Sequence, residues 1–159
     1  MKKKVLVFLL TSLMVFGLLL TACGGNGGGS GEAASVAGTT WIANMTRTQF
    51  AQALVAEGDF GSVAEAEAML TLMQVPATFP FVRARFAPTG NTVRLDQYDF
   101  KDDVWHEDPD GPGTYTQNGN NLRMTVDGED WTTTIVGGNR FDVTIEEDGF
   151  SMTLTFRKQ

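Results

Sequence analysis

From Asn91 to its end the chain alternates apolar and polar side chains between short turn pairs. Leu122, Met124 and Val126 share one face, as do Trp131, Thr133 and Ile135. The same holds for Phe141, Val143 and Ile145, and for Phe150, Met152, Leu154 and Phe156. Between them stand Arg123, Thr125, Thr132, Thr134, Asp142, Thr144, Thr153 and Thr155. A period of two sustained over this length marks half-buried antiparallel strands, and threonine is common on their wet face. Asn118-Gly119, Asp127-Gly128, Gly137-Gly138 and Asp148-Gly149 recur every 9 to 11 residues. Such pairs tolerate the positive φ of tight hairpins. Earlier strands are expected at residues 40–44, 81–86, 93–99, 103–107 and 114–117. A meander of eight or nine strands hides its two edges by closing on itself. The expected fold is mainly β: an antiparallel up-and-down β-barrel.

Residues 46–75 break the alternation. Thr46 with Gln49 reads as one helix-capping box and Ser62 with Glu65 as another. Phe50, Ala53 and Leu54 fit one apolar helix face; Val63, Ala66, Met69, Leu70 and Met73 fit a second. Gly58 to Gly61 is the joint and Pro76 the stop. A helical hairpin is therefore expected between strands 1 and 2.

The first residues follow another logic. Lys2, Lys3 and Lys4 precede an apolar run from Val5 to Leu20, and small residues follow. This is the layout of a secretory signal. The run is about 16 residues, short of the roughly 20 that span a bilayer. Leu20, Thr21, Ala22 and Cys23 resemble the lipobox of bacterial lipoproteins. That resemblance implies cleavage after residue 22, a diacylglyceryl group and palmitate on Cys23, and a membrane anchor in the cell envelope. In that family Asp after the Cys favours inner-membrane retention; Gly24 stands here, so an outer membrane is implied where two membranes exist. A diacylglyceryl group anchors stably, at about 0.8 kcal/mol per buried methylene. Cys23 is the only cysteine, so the mature chain has no internal disulfide and is held by its core.

Residues 24–37 are rich in Gly, Ser and Ala, a composition that behaves as flexible coil with a reach on the order of 20 Å. The expected organisation is a lipoprotein signal peptide over 1–22, lipidated Cys23 and its tether over 23–37, and one barrel domain over 38–159. After the signal the chain holds nine Lys and Arg against nineteen Asp and Glu, a net charge of −10. Nucleic acid and anionic lipid surfaces are poor partners for such a chain.

Gly38-Thr39-Thr40-Trp41 resembles the Gly-x-Trp opening of lipocalin-like and fatty-acid-binding (calycin) barrels. Gly113-Thr114-Tyr115-Thr116, Gly119 and Leu122 resemble a hairpin of bacterial lipocalin-like lipoproteins. The helix pair after the first strand is similar to the lid of fatty-acid-binding proteins. The resemblance implies a small, partly apolar ligand in the barrel. The opening has one extra residue, and the Arg-x-Tyr pair that holds a carboxylate in that family is replaced by Thr153-Leu154-Thr155-Phe156-Arg157, so a fatty-acid pocket is not carried over.

Candidate chemistry is sparse. His106 is the only histidine, and a metal site or a nucleophile–His pair built on histidine would need it. Asp99, Asp102, Asp103, Glu107, Asp108 and Asp110 form an acidic stretch, but the twelfth position counted from Asp108 is Gly119, which fails a calcium loop. Arg83 and Arg85 point outward if Val82, Ala84 and Phe86 face in, and inward, toward an anionic head group, in the opposite register. Met69 and Met73 read as a stripe packed on the barrel end, or as an adaptable lid. Asn44-Met45-Thr46 matches a glycosylation sequon, but Thr46 reads better as a helix cap. No catalytic set, metal or cofactor is expected. Two functions follow: an envelope-anchored carrier of a small apolar ligand, or a filled barrel that binds or inhibits another envelope protein.

Overall fold

A computed structural model describes residues 34–109, 111–147 and 150–159. The signal, Cys23, most of the tether, Asp110 and the Asp148-Gly149 pair lie outside the described residues. The elements run β1 (Thr40–Thr46), α1 (Arg47–Ala56), α2 (Val63–Leu72), β2 (Thr78–Phe86), β3 (Thr92–Asp99), β4 (Val104–Glu107), β5 (Gly113–Asn118), β6 (Asn121–Val126), β7 (Glu129–Thr134), β8 (Arg140–Glu147) and β9 (Phe150–Lys158). The nine strands form one antiparallel sheet: eight follow the order β7-β6-β5-β3-β2-β1-β9-β8, and β4 pairs with β3 off that path. It is a nearly closed barrel, with the helical hairpin between the first and second strands as the pattern predicts.

Two features depart from a plain meander. Strand β4 folds back on the outer half of β3, while β5 takes the other half through Thr92↔Thr114 and Val93↔Gly113. The ends β7 and β8 have no ladder between them among the described residues. They meet through a Val136↔Arg140 bridge and through Thr133 Oγ1, which donates to the Asp142 carbonyl at 2.6 Å.

Local chemistry explains the turns. Asp127 (φ 53°) and Gly128 (φ 84°) form the two-residue loop closing Val126↔Glu129, the type I′ geometry that matches strand twist. In the preceding hairpin Asn118 pairs with Asn121, so the central residues are Gly119-Asn120, one position later than the Asn-Gly pair implies. The β1–β2 ladder shifts at Ala43/Asn44, leaving Phe81 as the extra residue of a bulge. Pro80, which has no N–H to give, sits beside that irregularity.

Both helices begin on their expected caps. Thr46 Oγ1 accepts from Gln49 N–H at 3.1 Å, and Gln49 Oε1 accepts from Thr46 N–H at 2.9 Å, a complete capping box. Ser62 Oγ accepts from Glu65 N–H at 3.3 Å, but the Glu65 carboxylate reaches back to Gly61 N–H, so the second box is half formed. Gly58 and Gln74, both with positive φ, end the helices. At the second end Gln74 N–H donates to Thr71 O and Val75 N–H to Leu70 O, a Schellman closure. The buried helix residues are Phe50, Ala51, Ala53 and Leu54 on α1, and Ala66 and Leu70 on α2.

Strand direction assigns the two barrel ends. The chain enters β1 at the lower end, together with the β2–β3 turn, the β5–β6 turn, the β7–β8 connection and the last residue. The helices, the β3–β4 turn and the β6–β7 turn occupy the upper end. Val36, which composition assigned to the tether, is fully buried and plugs the lower end. Gln117 holds it there: its Oε1 accepts from Val36 N–H at 3.0 Å, and its Nε2 donates to Ala34 O at 2.8 Å.

Gly113 marks the tightest approach in the wall. A Cβ there would stand 2.4 Å from Thr125 O and 2.7 Å from Val126 Cγ2. Gly113→Ala therefore forces β5 away from β6 and is expected to cost about 1–3 kcal/mol. A urea melt checks this: the midpoint falls while the slope is unchanged.

Candidate functional site

The interior is the first place to look in a barrel. The inward phase of the long strands is apolar except at Gln97 and Asp99 of β3 and Lys158 of β9, and its apolar part is packed. Trp41 and Phe141 lie 4.9 Å apart by ring centroid, and Phe141 stacks on Phe156 at 4.8 Å. Phe86 meets Tyr115 edge-on at 5.0 Å. Met45, Leu122, Met124, Val126 and Ile135 fill between these rings and are buried. At the upper end Phe79 bridges Phe50 of α1 and Phe100 of the β3–β4 turn, at 5.8 and 5.7 Å. One open hollow of about 530 Å³ lies at the lower rim between Ser35, Asn91 and Gln117. A smaller one of about 160 Å³ runs along the outward threonines of β5 and β6.

The outer wall holds the best-organised polar group. Val82, Ala84 and Phe86 face in, so Arg83 and Arg85 point outward. They are not simply solvated. Register sets Arg83 directly opposite Asp96 and Arg85 opposite Arg94. Arg83 Nε donates to Asp96 Oδ2 at 2.6 Å; Arg85 Nε and Nη2 donate to Oδ2 and Oδ1, both at 2.7 Å. The Asp96 carboxylate is buried although it lies on the outward phase. The fold-back of β4 covers it, with Glu107 set opposite Asp96 and Trp105 opposite Tyr98. The Arg83 guanidinium lies over the Trp105 ring at 4.6 Å, and Tyr98 packs on Trp105 at 5.2 Å. Glu107 takes a further bond from Arg85 at 2.7 Å and a long one from Arg94 at 3.4 Å. The bonds to Asp96, then to Glu107, raise the Arg85 pKa above its ordinary value.

The acidic stretch is largely drawn into local structure. Asp99 Oδ1 accepts from Lys101 N–H at 2.8 Å, and the Tyr98 hydroxyl donates to Asp103, which raises the tyrosine's pKa. His106 is exposed on the rim, 4.0 Å from Asp99. Among the described residues no group of three or more His, Cys, Asp or Glu is placed to hold a metal ion.

The pleat of β7 separates two adjacent carboxylates. Glu129 pairs with inward Val126 and faces the interior side; burial raises its pKa, partly offset by a hydrogen bond from Trp131. Asp130 faces out, where Arg123 and Thr125 each donate to it at 2.5 Å and lower its pKa. A carboxyl whose folded pKa lies above its unfolded one is destabilising once ionised. Stability from Glu129 is thus lost as pH rises through its ordinary value of 4.5 toward the raised one. Glu129→Gln is expected to melt above the wild type at pH 7, with the gap closing below pH 4.5. Thermal melts across that range check it.

The methionine stripe does not lie where helical spacing put it. Met69 and Met73 are 44% and 58% exposed, and Leu72 beside them is 79% exposed. The second helix faces its neighbour with Ala66 and Leu70 instead, and turns its methionines outward. Trp131 is half-buried against the core, and Trp105 is half-buried on the wall. Among the described residues no helix is long and apolar enough to cross a membrane.

No protein-family model matches this chain, and no curated protein matches it either.

Proposed function

We propose that this chain is a lipid-anchored protein of the cell envelope whose filled, lipocalin-like barrel works as a protein-interaction module. The observation that carries this reading is the packed interior. A carrier of a small apolar ligand needs room among the inward side chains, and here Trp41, Phe141 and Phe156 occupy it in ring contact. Recognition then falls to the outer surface. Arg83, Tyr98 and Trp105 supply the residue types that dominate protein interfaces, held rigid by a buried carboxylate. The lipobox ending in Cys23 supports the anchor. The chain enters the barrel at its lower end, the end opposite the helical hairpin.

Two measurements test the reading. Cells fed an alkyne palmitate analogue should label the wild-type chain in the membrane fraction and leave Cys23→Ser unlabelled; equal labelling would remove the anchor. Photoreactive residues scanned over the exposed wall and helices should give protein-sized adducts clustered on one region. Adducts at no position would remove the interaction role.

A further inference from the structure

Helix α2 has two apolar faces and buries only one. Ala66 and Leu70 pack inward, while Met69, Leu72 and Met73 stand 44%, 79% and 58% exposed along one flank of the buried stripe. Positions 72 and 73 follow Met69 by three and four residues, so each neighbours it on the helix surface. Single exposed apolar residues are ordinary on a protein surface; three adjacent large ones on one stripe are the pattern of a docking site. Thioethers add adaptability to such a surface.

The charges around the patch define what it fits. The hairpin from Arg47 to Pro76 holds one basic residue against Glu57, Asp59, Glu65 and Glu67. The one base, Arg47, is half-buried and donates to Val75 O at 3.1 Å. Glu65 lies one turn before Met69 on the same stripe. Neither helix carries a basic residue in its last turn, and Arg47 is the cation that meets the end of α2. The remainder of the mature chain adds to the negative field. A second copy brings the same acids to the contact, and an anionic lipid surface is repelled by them.

We infer that the outer face of α2 docks an amphipathic segment of another protein, with an apolar stripe flanked by Lys and Arg. The inference rests on the interaction-module reading and names its partner's chemistry. Met69, Leu72 and Met73 receive the stripe, and Glu65, one turn before Met69, meets a flanking cation within the negative field of the chain. This is the helix-in-groove mode of recognition, with electrostatics setting the choice of partner.

The test uses the mature chain, residues 23–159, produced without its lipid. The probe is an 18-residue helical peptide of leucine and lysine with one apolar stripe; the control replaces each lysine by glutamate. Calorimetric titration should show binding of the lysine peptide, at least tenfold weakening in Leu72→Gln/Met73→Gln, and further weakening with added salt. The glutamine pair leaves the charge unchanged, so it separates docking from simple attraction to an acidic protein. Its target residues are exposed, so its melting curve should match the wild type. Equal binding to the glutamine pair, or to the glutamate peptide, overturns the inference. So does a concentration-dependent dimer that Leu72→Gln abolishes, since the occupant is then a second copy. In either case photo-adducts on the barrel wall would leave the interaction-module reading standing, whereas adducts at no position remove both.

Discussion

Phe141→Ala is expected to destabilise the protein by about 3–5 kcal/mol, the range for removing a fully buried aromatic ring. Phe141 has no exposed surface and sits between Trp41 at 4.9 Å and Phe156 at 4.8 Å. The wall around it cannot close on the gap, because β8 is held by the ladder to β9 at Phe141↔Phe156 and β1 by its ladders to β2 and β9. The vacated space is apolar and stays dry, so it should accept a small hydrocarbon. Benzene is expected to raise the melting temperature of Phe141→Ala and leave the wild type unmoved. A benzene shift of similar size in the wild type would mean that the interior already holds free space.

The second large effect is on the outer wall. Asp96 has no exposed side-chain surface, and its two oxygens receive three bonds from Arg83 and Arg85. Arg83→Met with Arg85→Met leaves a buried carboxylate with neither cation, which costs about 3–5 kcal/mol. Replacing Asp96 by Leu in the same chain removes the stranded charge, and most of the loss should return. Urea denaturation of the wild type, the double variant and the triple variant reads this directly. A loss in the double variant below about 1 kcal/mol would class the cluster with ordinary exposed ion pairs.

The strands of the second half are legible because they obey one rule without interruption. In β6, in β8 from Phe141 to Ile145 and in β9 from Phe150 to Phe156 each inward residue is large and apolar and each outward one polar, so parity alone fixes the face. The helix starts are legible because Thr46 and Ser62 stand where caps must stand. Other features depend on contacts distant in sequence. Asp96 lies on the outward phase of β3 and reads as wet; the fold-back of β4 buries it, and no local pattern announces that fold-back. The register of β2 against β3 was the missing link, since it sets Arg83 opposite Asp96. Val36 is one apolar residue in a run of small ones, and a single residue has no period. Along α2 the sequence VAEAEAMLTL is apolar on several sides, so spacing does not tell Leu70, which is buried, from Met69, which is not. Glu129 begins a strand whose apolar residues start two positions later, so only its pairing with Val126 marks its inward side.

The most direct test of a filled barrel acting through its surface is native mass spectrometry. Residues 23–159 would be titrated with an extract of envelope lipids and small metabolites. The spectrum should hold the mass of the empty chain throughout. A bound small molecule at one-to-one stoichiometry, displaced by none of the surface substitutions, would contradict the account and return the function to the barrel interior.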